Sequence, residues 1–184
     1  MAKQLVVGLC GLAGSGKSTA ARILCHQHRF VRKPFAHCLK QMVAALGVPG
    51  DVLDGDREAK EQPRPELLGK TVRHALQTLG TEWGRQHMGE DFWVGLWSLG
   101  LQKMPRVVAD DVRFPNEQIA SQNAGGVLVR IDRPGAGSKV NAKHASENIG
   151  ALSPDFVVVN DGTPEDLSRK LAEILTAVAV SSAA

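Results

Sequence analysis

A glycine-rich loop near the start of the sequence constrains the fold more than any other feature. Residues 11–18 read Gly-Leu-Ala-Gly-Ser-Gly-Lys-Ser and match the pattern G-x-x-x-x-G-K-[ST] without a mismatch. The apolar run Leu5–Cys10 before the loop predicts a buried strand, and the residues after the loop predict a helix through Leu24. Such a strand–loop–helix unit directs backbone N–H groups at phosphate oxygens, at the positive end of a helix dipole.

The same loop supplies side chains that a bound nucleoside triphosphate needs. Lys17 would reach the β- and γ-phosphates, and the Ser18 hydroxyl would be a ligand of Mg²⁺. The alternative is a glycine-rich turn with an incidental lysine, which the flanking strand and helix disfavour. We expect the nucleotide to be bound by Ala13, Gly14, Ser15, Gly16, Lys17, Ser18 and Thr19.

Short apolar runs alternate with longer amphipathic segments along the rest of the chain, which indicates an α/β fold with a largely parallel sheet. Further strands are predicted at residues 31–36, 106–109, 127–131 and 156–159. Further helices are predicted near residues 39–46, at 71–88, 92–101 and 115–124, and from Pro164 onward. Residues 51–70 are polar and contain two prolines, so we expect an exposed excursion there. A chain of 184 residues, 43% of them apolar, suffices for one domain with one core.

Charge and cysteine content restrict the partners and the compartment. The net charge is only +3 without a basic stripe, which argues against nucleic acid and suits a protein that binds small anions. Three sparse cysteines without a signal peptide predict a reducing compartment, and no segment has membrane-spanning length. We therefore predict a cytoplasmic protein with small-molecule substrates and no membrane partner.

Two carboxylates and an arginine follow the predicted strand at 106–109. Asp110 or Asp111 would hold the metal ion, partly through water, or polarise a molecule that accepts a phosphoryl group from the nucleotide (the acceptor). The alternative for each aspartate is that it caps the next helix or turn. Arg113 would bind an acceptor phosphate or pair with Glu117, and we favour the phosphate.

The segment at 71–88 carries a second face beside its apolar stripe. Arg73, which suits a phosphate, and Gln77, which suits a base edge, recur there with Gly80 or Thr81 and with Gly84. Each glycine inside a helix costs about 1 kcal/mol relative to alanine, so close approach of a ligand or another backbone is expected.

All three tryptophans lie within fifteen positions of one another, at Trp83, Trp93 and Trp97. One of them would stack on a base, with Trp83 the first to test. The alternative is that all three are core residues, which we favour for Trp97.

Several longer motifs occur in one order: GLAGSGKSTAA, LQTLGTEWGR with GEDFWV, DVRFPNE, IDRPG, HASEN and NDGTPEDL. In this combination the sequence resembles the phage-type deoxynucleoside monophosphate kinases, from residue 6 to about residue 167. The resemblance implies transfer of the ATP γ-phosphoryl group to a deoxynucleoside monophosphate, with ATP and Mg²⁺ as cofactors. It also implies the three-layer P-loop NTPase fold of nucleoside monophosphate kinases, with a mostly parallel sheet and helices on both faces. For a phage-encoded chain it implies the host cytoplasm.

The resemblance also implies a catalytic, metal-binding or acceptor-binding role for particular residues. The catalytic set would be Lys17, Arg113, Arg133 and Asp111. The metal would be held by Ser18, Asp110 and Asp111; because Asp110 stands where a non-acidic residue is expected, the choice of aspartate stays open. The acceptor would be bound by Arg73, Gln77, Thr81, Glu82, Trp83, Arg85, Asp91, Trp93 and Glu147. The Glu147 carboxylate would accept a hydrogen bond from a ribose hydroxyl or form an ion pair with an arginine.

Residues 133–150 would close over the site as a lid, assisted by Lys139, Lys143 and His144, or would be an ordinary solvated loop. Residues 1–184 would then form a single kinase domain with an acceptor-side insert at 51–70. Two other functions stay open: a dephospho-coenzyme A kinase or another small-molecule P-loop kinase, and a P-loop ATPase or regulatory nucleotide switch. A homodimer also stays open.

Overall fold

A parallel sheet forms the centre of the fold. The computed structural model describes residues 4–55, 57–101, 104–137 and 149–181. Within these residues the strands are β1 (Leu5–Cys10), β2 (Val31–Arg32), β3 (Arg106–Ala109), β4 (Val127–Asp132) and β5 (Phe156–Val159). They lie in the order β2–β3–β1–β4–β5, and all their pairings are parallel. The apolar run of β1 is explained by this central place, because a central parallel strand is buried on both faces.

Helices cover both faces of the sheet. They are α1 (Lys17–His28), α7 (Pro115–Asn123) and α8 (Pro164–Ser181). Residues Leu24 of α1 and Leu171 of α8 pack in one cluster with the odd-numbered side chains of β1, such as Leu9. A Cβ on Gly8 would lie on the opposite face of the sheet, where its neighbours include Ser121 of α7. The predicted parallel sheet between two helical layers is therefore confirmed.

Most predicted elements of this region occur with their predicted bounds or within a few residues of them. The largest difference is at 31–36, where only two residues form a strand. The Lys33 N–H still donates to the Val108 carbonyl at 2.9 Å, but Pro34 has no N–H and cannot continue the ladder. Helix α1 extends to His28 and ends where Arg29 adopts the left-handed conformation with φ 58°.

The chain divides into two compact units: one holds Met1–Pro34 and Leu101–Ala184, with the whole sheet, and the other holds Phe35–Gly100. The second unit contains α2 (His37–Ala44), α3 (Gly50–Asp54), α4 (Arg57–Glu61), α5 (Val72–Gln77), a π-helical segment (Thr78–Met88) and α6 (Phe92–Leu99). Its apolar centre comprises Val43, Val48, Leu53 and Val72. The single kinase domain, with its insert and lid, stays a prediction.

Two segments of the second unit differ from the sequence prediction. Residues 51–70 are not simply an exposed excursion, because short helices form there and Leu53 is buried. The helix predicted at 71–88 is α-helical only through Gln77 and π-helical from Thr78, a form that recurs at functional sites. The α-helical spacing that put Gly80 and Gly84 on the face of Arg73 therefore does not hold beyond Gln77. Among the described residues, no helix is both long and apolar enough to cross a membrane.

Candidate active site

The glycine-rich loop takes a conformation that requires its glycines. Gly11, Gly14 and Gly16 have φ of 140°, 80° and 105°, values that side chains strongly disfavour. A Cβ on Gly11 would also overlap the backbone carbonyl of Ile131 in β4, so the loop fits closely against the sheet. Helix α1 begins directly after Gly16, which places its unsatisfied N–H groups at the loop.

Lys17 holds the loop closed through its ammonium group. Its Nζ donates to the carbonyl oxygens of Gly11 at 2.7 Å and Leu12 at 2.8 Å. Burial lowers the pKa of Lys17 to about 8, and the positive charge of nearby Arg113 acts in the same direction. A half-buried ammonium group whose hydrogen bonds within the described residues go to neutral carbonyls is well suited to exchange them for anionic phosphate oxygens.

Two further loop groups are consistent with a phosphate ligand. Ser15 is 1% exposed, and its buried hydroxyl has no hydrogen-bond partner among the described residues. The Ser18 side chain, in the first turn of α1, is exposed and accessible to a metal ion. Within the described part of the chain, no group of three or more His, Cys, Asp or Glu side chains could hold a metal, whereas Mg²⁺ is ordinarily completed by waters and phosphates.

The two strand-end aspartates are in different environments. The Asp110 side chain is 4% exposed and pairs with Arg32 of β2, whose Nε lies 3.0 Å from both carboxylate oxygens. Asp111 is half-buried beside it. Both carboxylates partly offset the lowering of the Lys17 pKa, which shows that they lie close to the loop. Arg32 has no place in the sequence prediction, because only the pairing of β2 with β3 brings it to Asp110.

Arg113 lies on the exposed surface near Lys17. The alternative of a pair with Glu117 takes a different form, since one Glu117 oxygen accepts from the backbone N–H groups of Arg113 at 2.8 Å and Phe114 at 3.2 Å. Glu117 thus accepts from the two backbone N–H groups that directly precede α7. The Arg113 role at a phosphate stays a prediction, as does that of Arg133, which is exposed just after β4.

Asn160 is a loop contact that sequence reasoning missed. It directly follows β5, and its Nδ2 donates to the Ser15 carbonyl at 2.8 Å across 145 positions of sequence. Two signals were available: its place at the carboxyl end of a parallel strand, where ligand sites of open α/β sheets form, and its place as the first residue of the motif NDGTPEDL.

The second unit contains most of the predicted acceptor residues. Arg73 Nε lies 2.7 Å from Glu61 Oε1 as an ion pair, without the alignment of a hydrogen bond. Gln77 and Thr81 are half-buried, and Glu82 is exposed. Arg85 Nη1 donates to the Glu90 carbonyl at 3.2 Å. Asp91 is exposed just before α6, and Glu147, like Lys139, Lys143 and His144, lies outside the described residues. The binding roles of all these residues stay predictions.

The tryptophans are arranged mainly for packing. Trp97 is confirmed as a core residue, because it is buried and its ring stacks on Phe35 with centroids 4.3 Å apart. Trp93 is 4% exposed, and its indole N–H donates to the Gly80 carbonyl at 2.7 Å. Trp83 is half-buried and its ring lies at 89° to the ring of Phe92, so part of the Trp83 surface stays exposed. Base stacking by Trp83 or Trp93 stays a prediction.

Comparison with known proteins assigns the chain to a family. The sequence profile described as deoxynucleotide monophosphate kinase matches residues 67–171. A protein of Acanthamoeba polyphaga mimivirus, assigned by its name to the deoxynucleotide monophosphate kinases, is 36% identical in an alignment 182 positions long that covers 91% of this chain and 94% of the mimivirus protein. This chain belongs to the deoxynucleotide monophosphate kinase family. The resemblance stated from the motifs is confirmed.

The fold of this deoxynucleotide monophosphate kinase family member is shared more widely. The crystal structure of shikimate kinase from Aquifex aeolicus superposes with a TM-score of 0.54 over 95% of this chain and 98% of that chain, at 14% identity. Identity this low supports the fold alone. The predicted P-loop fold, a parallel sheet with helices on both faces, is confirmed.

Proposed function

We propose that this member of the deoxynucleotide monophosphate kinase family transfers the γ-phosphoryl group of ATP to a deoxynucleoside monophosphate, which yields ADP and the deoxynucleoside diphosphate. The observation that carries the proposal is the phosphate loop, on which Lys17 is held by two carbonyl oxygens. A binding module would have little use for this lysine beside Arg113 and two strand-end carboxylates. Family membership specifies the acceptor class.

The donor half of the reaction uses the loop and its neighbours. Lys17 exchanges the Gly11 and Leu12 carbonyls for phosphate oxygens, and its hydrogen bonds become stronger because the new acceptors are charged. Arg113 adds a second positive charge near the same place. Together they neutralise the negative charge of the transferred group, which is the main requirement for phosphoryl transfer.

Ser18 and one strand-end aspartate fit Mg²⁺ by their oxygen chemistry and their nearness to the loop. The aspartate would be Asp110, which also pairs with Arg32, or Asp111, and it would act directly or through water. When bound, the metal neutralises charge on the β- and γ-phosphates.

The acceptor half needs binding residues rather than a strong base. A nucleoside monophosphate already carries an oxyanion as its nucleophile, so positioning and charge neutralisation suffice. Arg73 would bind the acceptor phosphate after it leaves Glu61, and Gln77 and Trp83 would contact the base. Arg133 would complete the positive charge near the transferred group.

ADP release in the presence of ATP, Mg²⁺ and a panel of acceptors tests the function. We expect turnover with one or more deoxynucleoside monophosphates, and Lys17→Ala should lower kcat about 10²-fold or more. Arg169→Ala is the control, since it removes one exposed positive charge from α8 and should leave turnover unchanged. ATP hydrolysis that no acceptor stimulates would refute the kinase proposal, and phosphorylation of dephospho-coenzyme A alone would replace its acceptor.

Arg73→Ala tests the acceptor half separately. We expect a higher KM for the monophosphate and an unchanged KM for ATP, because Arg73 belongs to the acceptor side of this proposal. Unchanged KM and kcat for every monophosphate would refute this placement.

Location and assembly belong to the same proposal. We place the enzyme in the cytoplasm, the host cytoplasm for a virus-encoded chain, in keeping with its viral relative. A homodimer is left open, and sedimentation of the active protein decides it.

A further inference from the structure

Asn160, which directly follows β5, connects the phosphate loop to the carboxyl end of β4. Its backbone N–H donates to the Asp132 carbonyl at the end of β4, at 2.7 Å. Its side-chain amide donates to the Ser15 carbonyl at 2.8 Å. Both contacts lie within the unit that contains the sheet. Asn160 therefore holds the loop relative to the carboxyl ends of β4 and β5.

The contact with Ser15 also sets the direction of a phosphate-binding group. In a trans peptide the carbonyl of one residue and the N–H of the next point to opposite sides. Because the Ser15 carbonyl is directed at Asn160, the Gly16 N–H is directed away from it. Gly16 N–H is one of the backbone donors with which loops of this pattern cradle phosphates.

The packing at Gly16 supports the same role. Gly16 has φ 105°, and a Cβ there would overlap the Asn160 amide nitrogen. The amide thus occupies the place that a side chain on the loop would need. A close fit of this kind restricts the peptide between Ser15 and Gly16 to one orientation before any ligand binds.

We propose that Asn160 is a positioning residue that preorganises the phosphate loop for the phosphate chain of the donor nucleotide. It acts through the Ser15–Gly16 peptide and does not itself contact the phosphates. This inference rests on the proposed function for the identity of the donor, ATP. Preorganisation should strengthen binding of any polyphosphate and be indifferent to the base.

Binding of two fragments of ATP tests the proposal. Inorganic tripolyphosphate probes the loop, and adenosine probes recognition of the base. Asn160→Ala should weaken tripolyphosphate about three- to tenfold, the loss expected for one neutral hydrogen bond, and should leave adenosine affinity unchanged. The KM for ATP should rise by a similar factor, with little change in kcat at saturation. Asn123→Ala is the matched control, because Asn123 is exposed at the end of α7.

Asn160→Asp provides a second variant of nearly the same shape. It replaces the donor by an oxygen that faces the Ser15 carbonyl, so tripolyphosphate binding should weaken at least as much as in Asn160→Ala. Measurement at high salt reduces the direct repulsion between the new charge and the ligand. A melting temperature close to that of the wild type excludes a loss of folded protein as the cause.

Two results would overturn the inference. One is unchanged tripolyphosphate affinity in both variants. The other is a loss of adenosine affinity, or of the preference for ATP over GTP, with tripolyphosphate unaffected, which would make Asn160 a base-reading residue. Failure of the proposed function is a separate outcome: the wild type would then phosphorylate no deoxynucleoside monophosphate, while tripolyphosphate binding would still depend on Asn160.

Discussion

Gly84→Ala should destabilise the protein, because the added methyl group would meet the ring of Trp93. Gly84 is buried in the π-helical segment, and a Cβ there would lie 2.6 Å from the Trp93 Cζ2. Real Cβ atoms essentially never have contacts under 3 Å, so one of the two groups must move. The indole is 4% exposed and holds the Gly80 carbonyl at 2.7 Å, so its displacement also strains a buried hydrogen bond.

The size of the effect follows from opposing contributions. Overpacking a core position costs about 1–3 kcal/mol. A weakened hydrogen bond adds about 1 kcal/mol, and replacement of glycine by alanine in a helix returns a similar amount. The free energy of unfolding should therefore fall by about 1–3 kcal/mol, which corresponds to a decrease in Tm of about 3–10 °C in a chain of this size.

Thermal and urea unfolding measure this effect, and the chain offers a matched control. Gly95→Ala in α6 makes the same substitution where, apart from the chain neighbours and the backbone of the helix itself, no atom of the described residues lies within 4 Å of the new Cβ. Stability should therefore be unchanged or raised by up to about 1 kcal/mol. Trp93→Phe combined with Gly84→Ala should recover part of the loss, with a coupling energy of about 0.5–3 kcal/mol. If Gly84→Ala is as stable as the wild type, or if both glycine variants behave alike, the methyl group at position 84 does not clash with Trp93.

Three further predictions concern charged groups. Because the pKa of Lys17 is lowered to about 8, Lys17 loses its charge above pH 8 and must take up a proton when ADP binds without metal. The affinity for ADP should therefore fall about tenfold per pH unit above pH 8. An ADP affinity that stays constant to about pH 10 would contradict this. Arg32→Ala leaves the buried Asp110 carboxylate without its partner and should lower the free energy of urea unfolding by about 1–3 kcal/mol, a range reduced because Arg32 is half exposed. Addition of Asp110→Asn should recover part of that loss, and a change below about 0.5 kcal/mol in Arg32→Ala would show that the pair contributes little. Glu61→Gln removes the competitor for Arg73 and should lower the KM for the acceptor monophosphate about two- to fivefold, whereas a raised KM would mean that Glu61 assists binding.

Local signals in the sequence were sufficient for four of the five described strands and for the phosphate loop, whereas the strand at 31–36 was predicted too long. The strand Leu5–Cys10 is apolar throughout because it is buried on both faces, and the loop needs glycines because its backbone angles exclude side chains. The strand that precedes Asp110 was equally clear. Each of these features depends on residues that are close together in the chain, so a single stretch of sequence contains the information.

The second unit was predicted less well for a physical reason. The apolar stripe at 71–88 is compatible with a continuous α-helix, but two glycines weaken that preference and Trp93 binds the Gly80 carbonyl. The π-helical segment that begins at Thr78 thus includes a carbonyl bound by a side chain thirteen positions away. Periodicity alone carries no record of such a contact.

The sequence alone determined the chemistry that the chain can offer, namely a phosphate loop, strand-end carboxylates and family motifs, because residue type and short spacing define these features. Only the tertiary structure decided how that chemistry is supported. Pairing of β2 with β3 brings Arg32 to Asp110 across 78 positions, and the end of β5 brings Asn160 to Ser15 across 145. These contacts form because the carboxyl ends of parallel strands lie side by side, whatever the separation of the strands in sequence.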